Sequence, residues 1–227
     1  MATADIWQLR QLVYATFANE GRAPSVAELA RRAGLPPEAV LTNLRELAEL
    51  HALVLAPDGD AVRMAHPFST APMAFVVTPV DGRDDRRWWG GCAWDSFGIG
   101  AALELEVRID TACPECGGAL SIEAGPETAP STGAMAVWFP KPAARWWDDV
   151  VATCTRIRLF CNPQHAGSWS TRRGETDGQI VGATTVWSLA QPWYGDRLDG
   201  DYAPHSRGHN QALLESRGLT GEFWRLP

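Results

Sequence analysis

The chain has 227 residues, 45% of them hydrophobic and 21% charged, enough apolar material for one large domain or two small ones. Its net charge of -7 and sequence pI near 5.2 argue against a broad electrostatic footprint for nucleic acid or an anionic membrane surface. No apolar run is long enough for a membrane span and Met1–Asp5 lacks a basic signal-peptide region, so a cytoplasmic location is expected, where the five cysteines stay reduced.

In chain order, Ile6, Leu9, Val13 and Phe17 recur with helical spacing and predict a first helix over residues 6–20. Ser25 is placed to cap a second helix, Val26–Ala33, with Glu28 at the reciprocal capping-box position. A turn at Gly34–Pro37 leads into a third helix from about Pro37 to Leu50. Leu53–Ala56 and Ala61–Met64 flank Pro57-Asp58-Gly59-Asp60, which predicts a hairpin. Three helices and a two-stranded wing make a winged-helix-like module over residues 1–66. Such modules often bind DNA, but this one carries six arginines, no lysine and eight acidic residues. Its third helix offers Arg45 against Glu38, Glu46 and Glu49. Phosphate contacts dominate affinity for DNA, so packing or a lid is the expected role.

Residues 67–227 predict a second domain of α+β class, a mixed or antiparallel sheet with flanking helices. Met73–Thr78 reads as a strand, Asp81–Arg87 as a charged turn and Cys92 to about Ala102 as a helix. Leu103–Ile109 alternates as a half-exposed strand, Pro114–Gly118 is a turn, and Leu120–Glu123 and Ala134–Phe139 are strands. Trp146–Asp149 reads as a short helix and Val150–Phe160 as a strand. Beyond Pro163 the chain reads as loop-rich, with Arg172–Gly178 the most mobile stretch. Thr184–Ala190 fits helix or strand, and Gly208–Ser216 is the last helix.

The chemistry gathers around Cys92-Ala93-Trp94-Asp95. A thiol and a carboxyl three residues apart share one helix face. Gly90 and Gly91 free the backbone where the helix begins, and a cysteine in the first turn feels the positive end of the dipole. That favours the thiolate, the nucleophilic and metal-binding form. Asp95 could carry a proton to or from whatever the sulfur holds. A second thiol brought near by the fold, Cys154, would complete a two-sulfur grip on a soft metal. The plainer alternative is that these cysteines only pack in the core. Several of the eleven tryptophans could line a pocket.

Cys113-Pro114-Glu115-Cys116-Gly117 looks like one knuckle of a zinc ribbon. The other pair on offer is Cys161 and His165, so Cys113, Cys116, Cys161 and His165 form the candidate ligand set of a structural zinc. Cys154 and Cys161 would point to opposite faces of an unbroken strand and so serve different sites. A Cys92–His165 pair of the cysteine-hydrolase kind stays open. No phosphate-binding glycine loop and no Gly-x-Ser-x-Gly elbow is present.

With these residues in view, the chain resembles the alkylmercury (organomercurial) lyase family over nearly its whole length. Trp89-Gly90-Gly91-Cys92-Ala93-Trp94-Asp95 is similar to the family's Cys-Ala-x-Asp segment, which carries its first catalytic cysteine and its catalytic aspartate. Cys113 falls where the family has a structural cysteine, and Cys154 falls close to its second catalytic cysteine. The resemblance extends through His66-Pro67-Phe68-Ser69 and, weakly, Trp193-Tyr194-Gly195. It implies protonolysis of a carbon–mercury bond without a cofactor, with Hg(II) then held by Cys92 and Cys154. It also implies low-molecular-weight thiols and a mercuric reductase as partners. Two other readings stay open. One is a repurposed family member using Cys92 and Asp95 for other small-molecule lyase, isomerase or hydrolase chemistry. The other is a thiol-based metal sensor, against which the charge of residues 1–66 argues.

Overall fold

In the computed structural model, which describes residues 3–82 and 85–227, three helices open the chain: α1 (Thr3–Glu20), α2 (Val26–Ala33) and α3 (Pro37–Glu49). Ile6, Leu9, Val13 and Phe17 are all buried, as their spacing predicts. The capping box forms: the Glu28 N–H donates to Ser25 Oγ at 3.2 Å and the Ser25 N–H to Glu28 Oε2 at 2.9 Å. A cap of this kind is worth about 1 kcal/mol.

The hairpin follows as β1 (Val54–Leu55) and β2 (Val62–Ala65). It does not stand off as a separate wing. β2 pairs with β3 (Phe68–Ser69), and the hairpin becomes the edge of a seven-stranded sheet. The other strands are β4 (Phe75–Pro79), β5 (Trp88–Gly90), β6 (Val107–Ala112) and β7 (Ala119–Ala124), in the spatial order β1-β2-β3-β5-β4-β6-β7. Arg83 and Asp84, within the expected charged turn, lie outside the described residues. A second sheet has the order β10-β8-β9, from β8 (Ala136–Phe139), β9 (Arg158–Phe160) and β10 (Gln179–Gly182). Every pairing described in the two sheets is antiparallel, which makes the fold α+β.

The helical layer and the large sheet share one core. Trp88 of β5 is buried and its Nε1–H donates to the Phe17 carbonyl of α1 at 2.8 Å. Phe17 stacks on Phe68 of β3 with ring centroids 5.6 Å apart. Trp88→Ala removes both the buried ring and this bond. The expected cost is about 3–5 kcal/mol, read as a lower urea midpoint at unchanged slope.

Helix α4 (Ala93–Leu103) is buried on all sides over Ala93–Ala102, as an all-round apolar helix must be, and packs against α7 (Ala183–Tyr194). Thr184–Ala190, open between helix and strand on sequence, is therefore helix. The strand expected from Leu103 starts only at Val107, because Leu103 still belongs to α4. Glu104 then closes the helix in the left-handed region at φ 53°.

Two expectations are overturned. Val150–Phe160 is not one strand but helix α5 (Val150–Arg156) followed by β9. Asp149 caps α5, its Oδ1 accepting from the Ala152 N–H at 2.9 Å, a start signal that competes with the β-branched residues behind it. The stretch after Pro163 is not loop but α6 (Pro163–Arg172), capped by Asn162 with proline in its first turn. A 3-10 helix, Ala143–Asp148, precedes α5, and α8 (Arg207–Glu215) is the last α-helix.

Candidate active site

β5 runs into α4 through Gly91 and Cys92. Cys92 is the N-cap of α4: its backbone is extended and its Sγ accepts from the Asp95 N–H at 3.3 Å. Thiol and carboxyl therefore sit at the same helix end, as their spacing predicts. Neither Gly90 nor Gly91 is in the left-handed region; the reason for glycine is space. A Cβ at Gly91 would lie 2.4 Å from Met64 Cε and 2.5 Å from Asp95 Oδ2.

Cys154 arrives from α5. Its thiol lines the same cavity as Cys92, close enough for each to shift the other's pKa, and ligand atoms of Cys154, Asp95 and His66 lie within 4.8 Å of one another. The Ala93 N–H donates to the Ile157 carbonyl at 3.1 Å, so the start of α4 and the end of α5 are tied by backbone.

Asp95 is only 1% exposed, and both its oxygens are held. The Tyr194 hydroxyl donates to Oδ1 at 2.6 Å, and His66 Nδ1 lies 3.3 Å from Oδ2. Tyr194 ends α7, and its ring lies directly over Gly98 of α4: a Cβ there would come within 2.2 Å of it. His66 and Tyr194 are the partners that sequence reasoning missed. They stand far from Asp95 in the chain, so no spacing rule links them to it.

Burial, the Cys154 contact and the neighbouring Asp95 push the Cys92 thiol well above its ordinary range. At Cys154 the contact with Cys92 lowers the value, but burial and Asp95 outweigh it and the net direction is also upward. The expectation that the helix dipole makes Cys92 a thiolate is thus corrected: desolvation in a closed site is the larger effect. Both shifts favour the protonated thiol at neutral pH. Iodoacetamide at pH 7 should alkylate them more slowly than a free cysteine, since the thiolate is the reacting form. Peptide mapping against time would measure this, and equal rates would contradict it.

Above these groups opens a cavity of about 330 Å³. Trp94, Trp146, Trp147 and Trp193 line it, α1 contributes Tyr14 and the turn after α3 contributes His51. His51 stacks on Trp147 at 4.0 Å. Polar groups, among them Arg197, His205 and Asn210, share the wall with the tryptophans, which suits a small ligand with both an apolar and a polar part.

The other predicted ligands gather elsewhere. Cys113, Cys116, Cys161 and His165 form a second cluster, so Cys154 and Cys161 lie in different groups, with the end of α5 and β9 between them rather than one unbroken strand. His165 stands beside Cys113, not Cys92, which removes the Cys92–His165 pair.

A sequence model of the alkylmercury lyase family, MerB, matches residues 68–195. The chain belongs to the alkylmercury lyase family. It is accordingly an organomercurial lyase, an enzyme that breaks the carbon–mercury bond to give a hydrocarbon and Hg(II). The matched span of this alkylmercury lyase includes Cys92, Asp95, Cys154 and Tyr194, with His66 just outside. The fold is similar to that in the "Crystal structure of the mercury-bound form of MerB2", with a TM-score of 0.63 over 87% of this chain and 91% of that one, at 19% identity. No curated protein sequence matches significantly. Among the described residues no helix is long and apolar enough to cross a membrane.

Proposed function

We propose that Cys92 and Cys154 take the mercury of an organomercurial and that Asp95 supplies the proton that replaces it on carbon. The observation that carries this is the convergence of two thiols and one buried carboxyl at the floor of an aromatic cavity. Mercury(II) is soft and prefers sulfur. With R–Hg–X entering, where X is a small thiolate, one cysteine displaces X, and its thiol proton leaves with X as HX. The second cysteine adds to mercury and gives its proton to Asp95. Two sulfurs raise the electron density on R. The carbon–mercury bond then breaks with its pair on carbon, and Asp95 returns the proton there. The products are R–H and Hg(II) on two thiolates, so the atoms balance with no cofactor. Asp95 acts first as base and then as acid.

Tyr194 and His66 fix the carboxyl so that it faces the sulfurs. Tyr194→Phe removes the 2.6 Å bond to Oδ1. A bond to a charged group is worth roughly 1.5–3 kcal/mol, so kcat should fall about tenfold or more with KM little changed. A change in KM alone would contradict this role.

We read residues 1–66 as a winged-helix-like module, with Tyr14, His51 and His66 recruited to the wall of the cavity. Low-molecular-weight thiols would remove Hg(II) from the pair and pass it to a mercuric reductase. This exchange suits the reducing cytoplasm. The test is benzene release from phenylmercury by the purified protein in excess thiol. Many turnovers per chain are expected, and none from folded protein would overturn the assignment.

A further inference from the structure

We propose that Cys113, Cys116, Cys161 and His165 bind one zinc ion, which staples the seven-stranded sheet to the three-stranded sheet. This goes beyond the lyase reading and does not depend on it. The four ligand atoms lie within 4.8 Å of one another. Two edges of the cluster are resolved: Cys116 Sγ to Cys161 Sγ at 3.7 Å and Cys113 Sγ to His165 Nδ1 at 3.5 Å. Tetrahedral zinc with ordinary bond lengths requires edges of about 3.8 Å between two sulfurs and about 3.6 Å between sulfur and nitrogen. Both of these edges match a zinc tetrahedron, and the remaining four lie within 4.8 Å.

The local backbone is shaped for it. Cys113 follows β6, and the turn to β7 is closed by Gly117 in the left-handed region at φ 71°, with its N–H donating to the Cys113 carbonyl at 2.8 Å. The Gly118 N–H points at Cys116 Sγ at 3.4 Å, the kind of donor that supports a thiolate ligand. On the other side Cys161 directly follows β9, and the His165 N–H is held by Asn162 Oδ1 at 2.8 Å at the start of α6. Cys113 is buried while Cys116 is exposed, so an ion can enter from one side. Zinc suits a three-thiolate, one-imidazole set in a reduced compartment. The joined segment also carries Ile157, whose carbonyl ties α5 to the start of α4.

The test is metal analysis of the full chain, purified with reductant from zinc-supplemented medium. About one zinc per chain is expected, falling below about a tenth in a Cys116→Ser/Cys161→Ser double variant and unchanged in a Cys92→Ser/Cys154→Ser double variant. Should the first variant not fold, cobalt(II) loaded into the wild-type chain should give the strong visible bands of a tetrahedral thiolate site. Folded wild type that neither carries zinc nor takes up cobalt would overturn the proposal. So would zinc retained in the Cys116→Ser/Cys161→Ser variant, or a Cys116–Cys161 disulfide, seen as a mass two hydrogens lower in the reductant-purified chain.

Discussion

Asp95→Asn should bind phenylmercury as well as the wild type and release benzene about 10³-fold more slowly, because positioned acid–base groups contribute roughly 10²–10⁴ and this one serves in two steps. Asparagine keeps the volume of the side chain and an oxygen that can accept from Tyr194, so the fold and the cavity should survive. What it lacks is a proton to give at neutral pH. No other carboxyl is at hand, since Asp95 is the only one lining the cavity among the described residues. Burial also keeps bulk water from replacing it as acid. Single-turnover benzene release, read beside equilibrium binding of phenylmercury, separates the two effects. Equal losses in binding and rate would mean that Asp95 serves only the structure of the site.

The second large effect is expected at Cys154. This residue makes no helix cap, so Cys154→Ala removes one sulfur without disturbing the start of α4, whereas Cys92 is itself the N-cap. With one thiolate the electron density on the departing carbon is too low for protonolysis. Benzene release should fall by at least about 10³, as for loss of a member of a group that acts as a unit. X-ray absorption on protein loaded with Hg(II), free of other thiols, should show two sulfur ligands in the wild type and one in the variant. A variant that keeps more than about a tenth of the wild-type rate would remove Cys154 from the mechanism.

Much of the fold and the site is legible in the sequence where the signal is local. The Ser25–Glu28 capping box, the face of α1 and the Cys92–Asp95 spacing are each fixed within one or two helical turns, and each forms as expected. The zinc-ribbon-like set was also readable as two close pairs, which the fold brings within 4.8 Å. The errors lie where two local signals compete. Val150, Val151, Thr153 and Thr155 favour a strand, yet they form α5, whose start Asp149 caps. Asn162-Pro163 is a helix start of the same kind, and it opens α6 where the loop-rich composition points the other way. The thiol state was misjudged for another reason: the dipole is visible in the sequence, while burial is a property of the whole fold. For the same reason Tyr194 and His66 could not be assigned to Asp95. Only the packing of α7 over Gly98 and the β2–β3 connection bring them there.

The central claim is that this site transfers a proton to carbon while two cysteines keep the mercury. The most direct measurement is a single turnover of phenylmercury on wild-type protein in D2O, without added thiol. Singly deuterated benzene should appear in an amount equal to the sites, with Hg(II) left on the protein in two-sulfur coordination. Phenylmercury that remains bound and uncleaved on the folded chain would contradict the account.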